Sequence, residues 1–367
     1  MTTERALRAY VVARALGPRA PLPAVIARLG FVQADPIRAP ARAQDLVLFQ
    51  RVRGYREGDL ERRYAELDVE EEHFVNYGFM PRALGDAMHP RGPRQRWDRG
   101  ERARAARVLD FVRERGEVHP RDVDARFDLG TVTNYWGGSS SATTHLLDRM
   151  HFAGMVRVAR REAGIRIYAP RAPFAHDASP RERAERLLQV AIDLYAPLPD
   201  KTLRRLATAV SRAAPGLARE VEVALARARR STKRVRAGGL ELLVPEGGEP
   251  AADEALADGE RVRILAPFDP LVWDRDRFEA LWGWTYRFEA YTPVAKRKLG
   301  YYALPVLFDD RVVGHANVAR APGSSRDLDV SLGFVAGAPP RGRAFADGLE
   351  AEVERLRGFL RPASAQR

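Results

Sequence analysis

The feature that most constrains the fold is a run of three helical patterns and a hairpin pattern between residues 101 and 170. ERARAARVLDFVRERG spaces its apolar residues as a helix does and ends at Gly116. EVHPRDVDARF predicts a second, short helix, and SSATTHLLDRMHFAGM predicts a third. VRVARREAGIRIYAP alternates apolar and polar residues around a turn at 162–164, which is typical of a β-hairpin. This order of elements predicts a winged helix.

A similar order recurs on both sides of that segment. Residues 3–16, 21–30 and 41–52 predict three helices, and 41–52 takes the position of a recognition helix. Residues 181–230 predict three more helices, followed by a hairpin that turns at Gly238 and Gly239. We therefore predict an α+β fold that begins with three tandem winged-helix-like units, and we place them at 1–100, 101–172 and 173–248.

The character of the sequence changes after EGGEPAADEALADGER, an acidic segment rich in Gly, Pro and Ala that we interpret as a linker. Five short runs then predict strands: RVRILAP, YRFEAYTP, GYYALPVLF, RVVGHANVAR and LDVSLGF. AFADGLEAEVERLRGFL predicts a closing helix. Residues 255–367 are therefore expected to form a small antiparallel β-barrel or sheet domain with a C-terminal helix.

Composition excludes several kinds of chemistry. The chain has no cysteine, so thiolate zinc sites, iron–sulfur clusters and cysteine nucleophiles are excluded. Its seven histidines show no HExxH spacing, so we expect no metal and no cofactor. The sequence lacks an apolar run of membrane-spanning length and starts with an amphipathic pattern instead of a signal peptide, so we expect a cytoplasmic protein with no membrane partner.

The charge points to a polyanionic partner. The formal net charge is +12 and the isoelectric point is about 10.3, which favours nucleic acid. Only four of the 61 basic residues are lysine, a skew that genomic base composition can produce. Such a bias exchanges Lys for Arg and leaves the net charge unchanged, so the charge remains informative.

The stretch LGFVQADPI near the N-terminus carries the candidate chemistry. In an extended segment Gln33 and Asp35 point to the same side, and Pro36 disfavours a helical conformation at Asp35. An amide and a carboxylate on one rigid face can form a reactive site. The alternative is a structural role, because an Asp before Pro often starts a turn or caps a helix. Such a helix would begin at Ala39.

Three functions are compatible with a basic chain of winged helices. The first is a transcription regulator that binds DNA without catalysis. The second is an enzyme that acts on DNA, which would explain the Gln-x-Asp face. The third is a nucleic-acid chaperone or a non-catalytic lesion sensor, for which tight, salt-sensitive binding and an inert Asp35 are expected.

Four stretches resemble the winged-helix DNA glycosylases of the AlkZ and YcaQ type. Gln33-Ala34-Asp35 is similar to the Gln-hydrophobic-Asp motif of the YcaQ-like branch. The middle residue of this chain, Ala34, is smaller than the apolar residue that is frequent in that branch. FVNYGFMPR (74–82), LAPFDPLVWDRDRF (265–278) and YTPVAKRKLGYYALP (291–305) also resemble that family. The resemblance spans nearly the whole chain.

The resemblance implies a DNA repair glycosylase that cleaves the N-glycosidic bond of N7-alkylated purines in double-stranded DNA. It also implies unhooking of nitrogen-mustard-type interstrand crosslinks. Asp35 would stabilise the sugar cation and activate water, and Gln33 would orient the water or the sugar-phosphate. No lysine lies near the motif, so we expect a monofunctional enzyme without a lyase step. If the winged-helix units of one chain together form a DNA-binding surface, no second copy is needed, so we expect a monomer.

DNA contacts are predicted at arginines near the Gln33–Asp35 motif and at polar residues of the third helix in the 101–172 unit. They are also predicted at Trp273, at Arg275 and at the basic residues of YTPVAKRKLGYYALP. The candidates are Arg38, Arg42, Arg51, Arg53, Ser141, Thr143, Thr144, Trp273, Arg275, Lys296, Arg297 and Lys298. Each has a structural alternative. The basic residues can be solvated surface charge, Ser141 can cap its helix, Trp273 can belong to a core, and Arg275 can pair with Asp274.

Overall fold

A computed structural model describes residues 3–91, 97–133, 138–174, 177–245, 261–321 and 327–361. The chain divides into two compact units. The first comprises Met1–Asp59, Gln189–Leu206 and Leu225–Arg367, and the second comprises Leu60–Leu188 and Ala207–Ala224. All of the predicted linker except Arg261 lies outside the described residues.

The elements follow in chain order. Residues up to 91 form α1 (Thr3–Leu16), α2 (Leu22–Leu29), β1 (Val32–Gln33), α3 (Ala43–Phe49), α4 (Asp59–Arg62), β2 (Val69–His73), β3 (Tyr77–Pro81) and α5 (Arg82–Asp86). The next segment forms α6 (Arg99–Arg115), α7 (Pro120–Phe127), β4 (Thr131–Thr133), β5 (Ser139–Ser141), α8 (Ala142–Phe152), β6 (Val156–Glu162) and β7 (Ile165–Pro170). Then come α9 (Pro180–Tyr195), α10 (Asp200–Ala213), α11 (Ala218–Ser231), β8 (Lys233–Ala237) and β9 (Leu240–Val244). The last part forms β10 (Val262–Ile264), α12 (Pro270–Trp273), α13 (Arg275–Trp282), β11 (Leu304–Phe308), β12 (Arg311–Arg320), β13 (Leu328–Phe334) and α14 (Arg343–Leu360).

The predicted helices and hairpin between 101 and 170 are confirmed. A reciprocal capping box between Asp98 and Glu101 starts α6, which ends at Gly116. β6 and β7 pair antiparallel about the predicted turn, with Glu162 opposite Ile165. The short pair β4–β5 was not predicted, since three-residue strands carry little periodic signal.

The later helices and the hairpin β8–β9 are confirmed as well. Ala237 pairs with Leu240 around the two predicted turn glycines. The first segment departs from the prediction in one respect, because all seven residues of α3 are buried. The recognition position assigned to 41–52 is therefore wrong, since a fully buried helix has no face to present to a DNA groove. The number of winged-helix units stays a prediction.

The C-terminal segment forms a four-stranded antiparallel sheet in the order β10-β11-β12-β13. Among the described strands, β10 and β13 are the edges, so the prediction of a small sheet fits better than that of a closed barrel. The strand predicted over YRFEAYTP is wrong, because 286–293 has no strand. There the Glu289 carboxylate accepts backbone N–H groups from Lys298 and Leu299, so this segment is held by its own loop instead of by a neighbouring strand.

An apolar core joins the N-terminal helix to the C-terminal sheet within the first unit. The buried side of α1 packs with β9, α12, α13, β11 and β12, and Phe278, Leu265 and Val272 lie at its centre. Helix α14 covers β10, where Glu352 Oε1 accepts the backbone N–H of Ile264 at 2.9 Å. This unit also carries the Gln33–Asp35 motif.

Candidate active site

The chain enters the motif through a constrained turn. Helix α2 ends at Gly30 in the left-handed region (φ 67°), and its N–H donates to Ile26 O at 2.9 Å. A Cβ on Gly30 would lie 2.4 Å from the side chain of Val190, so only glycine fits. Phe31 and Val32, each 1% exposed, then anchor the extended segment in the core. The backbone of 31–35 is thus held on both sides of the residues that bear the chemistry.

Gln33 and Asp35 are recessed, not open on a surface. Their exposed fractions are 7% and 9%. The two side chains that were predicted to form one reactive face are therefore mostly buried. The turn at Asp35 draws its carboxylate back, because Oδ1 accepts the N–H of Ile37 at 2.9 Å.

The hydrogen bonds of Asp35 separate the two structural alternatives. Helix α3 starts at Ala43 and has Arg42 at its N-cap, so Asp35 does not cap it. Asp35 does start a turn, through the bond from Ile37 to Oδ1. The backbone N–H of Asp35 donates to Gln44 Oε1 at 3.1 Å, which ties the motif to α3. In the part of the chain that the structure describes, the second carboxylate oxygen, Oδ2, accepts no hydrogen bond.

The charge of Asp35 has no cationic partner among the described residues. Burial raises the pKa of Asp35 above that of an ordinary aspartate, and the hydrogen bond from Ile37 opposes that rise. A carboxylate with a raised pKa and a free oxygen is a better proton acceptor than a paired one. It is also placed to stabilise a positive charge that develops beside it.

The amide of Gln33 has an unused acceptor. Its Oε1 is buried and has no hydrogen-bond partner in the described structure. Leaving a buried acceptor unsatisfied costs stability, so such groups are rare outside sites that receive a water or ligand. Gln33 and Asp35 together offer unfilled hydrogen-bonding capacity within one short segment.

Sequence reasoning missed Tyr302 as a component of this site. Its ring is 3% exposed, and its hydroxyl is buried without a partner in the described residues. Burial raises the pKa of Tyr302, and the nearby negative charge of Asp35 raises it further. The edge of its ring meets Phe288, with centroids 5.3 Å apart. The only signal in the sequence was the pair Tyr301-Tyr302 before β11. The structure shows that only the second of these rings is buried.

Arg51 is buried and joins three parts of the first unit. Its guanidinium is 0% exposed and forms two hydrogen bonds with the Asp269 carboxylate, at 2.7 and 2.9 Å. It also donates to the carbonyls of Ala15 and Val47. Asp269 in turn caps α12 through the N–H of Leu271. The prediction that Arg51 contacts DNA is wrong, because its side chain is fully buried and is bound to internal acceptors.

The other three arginines near the motif differ in exposure. Arg42 is 8% exposed and lies 3.4 Å from the Asp45 carboxylate, so its predicted DNA contact is also corrected. Arg38 is exposed and lies 3.7 Å from Glu57. Arg53 is exposed and donates to the carbonyl of Arg19 at 3.1 Å. Of the three, only Arg38 and Arg53 have surface to offer to a phosphate.

Trp273 and Arg275 belong to the packing of the first unit. The Trp273 ring stacks on Tyr195 at 4.2 Å, and the Arg205 guanidinium lies 4.5 Å from its centroid. Arg275 donates to the carbonyls of Val272 and Pro267, and burial lowers its pKa. Their predicted contact with DNA stays a prediction, and these internal contacts favour the structural alternative for both.

The three polar residues predicted to contact DNA at the start of α8 differ in exposure and in hydrogen bonding. Ser141 caps the helix, since its Oγ accepts the N–H of Thr144 at 3.3 Å. Thr143 is 0% exposed and its hydroxyl donates to the Asp124 carboxylate, so its predicted contact with DNA is wrong. Thr144 is exposed on the first turn of α8.

The basic cluster before β11 has two exposed ammonium groups. Lys296 and Lys298 are exposed and form no ion pair with any residue that the structure describes. Arg297 is half-buried, donates to the Thr292 carbonyl at 2.8 Å and lies 5.1 Å from the Tyr301 ring centroid. Lys296 and Lys298 therefore remain candidates for phosphate contacts, and Arg297 mainly shapes the loop.

The described residues hold no group of three or more His, Asp or Glu side chains that is placed to bind a metal ion. No described helix is long and apolar enough to cross a bilayer.

Comparisons with known proteins agree with the resemblance seen in the sequence. The model of a family described as "DNA glycosylase AlkZ-like" matches residues 26–359. The structure is similar to that of the DNA glycosylase AlkZ from Streptomyces sahachiroi, with a TM-score of 0.60 and 15% sequence identity. The match covers 97% of this chain and 96% of that one, so the two share a fold over their whole lengths.

Proposed function

Because the chain belongs to the AlkZ-like DNA glycosylase family, we propose that it is a monofunctional DNA repair glycosylase for cationic N7-alkylated purines. We include in this the unhooking of nitrogen-mustard-type interstrand crosslinks. The observation that carries the proposal is the recessed carboxylate of Asp35, which has a raised pKa and no cationic partner in the described chain. Gln33 Oε1, two residues earlier in the chain, and the Tyr302 hydroxyl, whose pKa the charge of Asp35 raises, are buried without a hydrogen-bond partner there.

The chemistry suits a base that already carries a positive charge. When the bond between the sugar C1′ and the purine nitrogen breaks, the electron pair goes to the base and neutralises it, so little acid catalysis is needed. Positive charge then develops on the sugar, where the Asp35 carboxylate stabilises it. A water oxygen attacks C1′ and its proton passes to Asp35, which leaves an abasic site. Gln33 accepts a hydrogen bond from that water and orients it.

A site built from a fixed carboxylate and amide also suits a crosslinked base. Ordinary base excision rotates the nucleotide into a closed pocket, which a base tied to the opposite strand cannot follow. We propose that the duplex stays largely stacked and that its phosphates are held by exposed groups. In the first unit these are Arg38, Arg53, Lys296 and Lys298. The functional species in this proposal is a monomer bound to double-stranded DNA.

The direct test is to measure base release from mustard-treated duplex DNA. We expect free N7-alkylguanine to appear by liquid chromatography and mass spectrometry, with abasic sites in equal amount and no strand cleavage. Crosslinked duplex should become denaturable into single strands. Absence of released base, together with a reproducible palindromic footprint, would instead support the transcription-regulator hypothesis.

Replacing Gln33 with Ala should lower the single-turnover rate of base release by about tenfold, which is less than the loss expected from a missing catalytic base. The amide positions water, and a water molecule can partly replace it. Gln33→Glu is the matched control, because it keeps the acceptor oxygen and adds a charge beside Asp35. A Gln33→Ala rate equal to that of the native protein would remove Gln33 from the proposed site.

Replacing Lys296 and Lys298 with Ser should weaken DNA binding without sequence preference. If both ammonium groups contact phosphates, the slope of log K against log salt should decrease in magnitude by about 1.8, since each contact contributes about 0.9. Fluorescence anisotropy of a labelled duplex at several salt concentrations measures the slope. Lys201→Ser is the control, because Lys201 lies on α10 and lies 3.4 Å from Asp276. An unchanged slope for the double variant would assign the two lysines to solvated surface charge.

A further inference from the structure

The C-terminal sheet has a groove at the turn between β11 and β12, which we call the β11–β12 groove. Its volume is about 670 Å³, and all of its lining residues belong to the first unit. It is lined by residues 308–313, by residues of the segment 335–341 ahead of α14, and by Arg5 of α1. A volume of this size is typical of ligand sites in proteins.

One side of the β11–β12 groove is apolar. Val335 is 44% exposed, and Ala336, Ala338 and Pro339 next to it are exposed as well. The backbone N–H of Val335 donates to the Val313 carbonyl at 3.0 Å, which holds the start of this segment to β12. Contiguous apolar surface that faces water is typical of a site that binds a partner.

Three guanidinium groups line the β11–β12 groove without an ionic partner. Arg5, Arg311 and Arg341 are exposed, and none of them forms an ion pair with another residue that the structure describes. An arginine without an internal partner keeps its N–H donors for a ligand, and its planar fork matches a carboxylate or a phosphate. The three side chains therefore favour an anionic ligand.

The carboxylates in the lining do not cancel this positive charge. Asp309 accepts hydrogen bonds from Arg261, one of them from Nε at 2.9 Å, and Asp310 accepts one from Arg8 Nε at 3.0 Å. Arg261 and Arg8 neutralise these two charges from outside the lining. The β11–β12 groove therefore combines an apolar side with the excess charge of three guanidinium groups.

We propose that the β11–β12 groove binds an acidic segment of a partner protein. Carboxylates of that segment contact the three arginines, and an apolar side chain of the segment packs on Val335 and Pro339. Opposite charges across an interface speed the encounter and fix the register. Apolar contact supplies affinity that exposed ion pairs alone give only weakly.

The β11–β12 groove is separate from the candidate active site. Tyr302 precedes β11 and the groove begins at its last residue, Phe308, so the strand places about 17 Å between them. The lining includes neither Gln33 nor Asp35. A partner in this groove therefore leaves the motif open to DNA, which suits recruitment of the protein instead of inhibition.

Nucleic acid fits the β11–β12 groove less well. A duplex receives protruding elements in its own grooves, whereas this feature is a recess. Single strands bind where bases stack on open aromatic rings. The one aromatic ring among the described lining residues, Phe308, is half-buried and already engaged. The Arg261 guanidinium lies 5.0 Å from its centroid, and the Phe345 ring meets it at 5.4 Å.

The test uses the synthetic peptide Glu-Asp-Leu-Asp-Glu-Val-Leu with a fluorescein label, and fluorescence anisotropy measures its binding. We expect saturable binding that weakens as salt is added, since the ion pairs are exposed. One control peptide carries Gln and Asn in place of the acidic residues, and the other carries Ser in place of the apolar residues. Both should bind more weakly than the probe peptide. Absence of saturable binding of the probe peptide would overturn the proposal.

The groove variant, Arg5→Ser/Arg311→Ser/Arg341→Ser, tests the three charges. It should bind the probe peptide about tenfold more weakly than the native protein, since each exposed ion pair contributes modestly and three are lost. All three side chains are exposed, so the protein should remain folded.

The control variant, Arg56→Ser/Arg230→Ser/Arg236→Ser, removes the same charge from exposed positions of the first unit outside the groove. It should bind the probe peptide within about twofold of the native protein, because distant charges are screened by salt. Equal weakening in the groove and control variants would reduce the binding to general attraction by a basic protein and would overturn the proposal.

Val335→Ser tests the apolar side of the β11–β12 groove. It should weaken the binding of the probe peptide a few-fold, because apolar area is no longer buried. Binding of the control peptide that carries Ser should stay unchanged. Equal loss for both peptides would overturn the apolar contact.

Two further outcomes would assign the β11–β12 groove to another occupant and overturn the proposal. If the groove variant binds duplex DNA with a smaller salt slope than the native protein, the arginines contact phosphates. If the protein binds the probe peptide only after Asp253, Glu254 and Asp258 of the acidic linker are replaced by amides, the groove binds the linker. None of these measurements uses base release, so peptide binding by a protein without glycosylase activity would leave the inference intact.

Discussion

The Asp35→Asn protein is expected to bind alkylated duplex DNA with an affinity within a few-fold of the native protein and to lose base release by a factor of about 10²–10⁴. Asparagine is neutral and cannot take the proton of the attacking water or stabilise the cationic sugar. Single-turnover kinetics on a duplex with one N7-methylguanine, with binding measured by anisotropy, gives both quantities. A loss of only a few-fold would show that Asp35 is not the catalytic base. Salt-sensitive binding with no base release by the native protein would favour the lesion-sensor hypothesis.

The same substitution tests whether Asp35 is merely a structural turn residue. Asparagine keeps an Oδ1 that can accept the Ile37 N–H, so the turn should persist. The folded pKa of Asp35 is raised by burial, so this carboxyl favours the folded state most below its unfolded pKa, and that contribution is lost as pH rises through the folded pKa. At neutral pH the Asp35→Asn protein should therefore melt at the same or a higher temperature than the native protein. A lower melting temperature combined with lost DNA binding would show that Asp35 is a structural residue.

The raised pKa of Asp35 also sets the direction of the pH dependence. In the proposed mechanism the carboxylate acts in its ionised form, so the rate should fall as the solution is acidified through that pKa. Because burial raises this pKa, the loss should begin at a higher pH than an ordinary aspartate would give. The pH profile of the single-turnover rate measures it, and the residual rate of the Asp35→Asn protein should lack that acid limb.

Replacing Arg51 with Met should destabilise the protein by about 3–5 kcal/mol, because the buried charge of Asp269 is left without its partner. Arg51 and Asp269 are both 0% exposed and share two hydrogen bonds. Denaturant unfolding measures the loss. If Arg51 instead served to bind phosphate, stability would hardly change and the salt dependence of DNA binding would weaken.

Arg51→Met/Asp269→Asn provides the matched control for this prediction. Asparagine removes the buried charge but keeps a side-chain oxygen that can cap α12 through the Leu271 N–H. We expect the double variant to recover part of the lost stability. Recovery should be incomplete, since the carbonyls of Ala15 and Val47 still lose the donor that Arg51 provides. A double variant no more stable than Arg51→Met would assign the loss to packing instead of charge.

Periodicity predicted most of the helices and hairpins, because these depend on residues close in sequence. α6–α8 with β6–β7, and α9–α11 with β8–β9, follow directly from apolar spacing and turn glycines. The false strand at 286–293 shows the limit of this signal. Its Phe288 packs against Tyr291 and Tyr302, and Glu289 is used by the loop that follows it.

The basic candidates show a similar limit. Arg38, Arg42, Arg51 and Arg53 look alike in the sequence, yet Arg42 and Arg51 are buried and the other two are exposed. Charge and proximity to the motif do not reveal whether a guanidinium has an internal partner. Tyr302 was missed because it is far from Asp35 in the sequence, and only the fold brings it within the electrostatic influence of that carboxylate.

The sequence by itself determined the order of elements, the basic character of the protein and the Gln-x-Asp segment, since each is a property of local pattern or of composition. Only the tertiary structure decided which polar groups have a hydrogen-bond or ion-pair partner within the described protein and which do not. Arg51 finds its carboxylate 218 residues away, and Asp35 finds no cation among the described residues. Burial makes that difference matter, because a charge or hydrogen-bonding group removed from water depends on the partners that the fold brings to it.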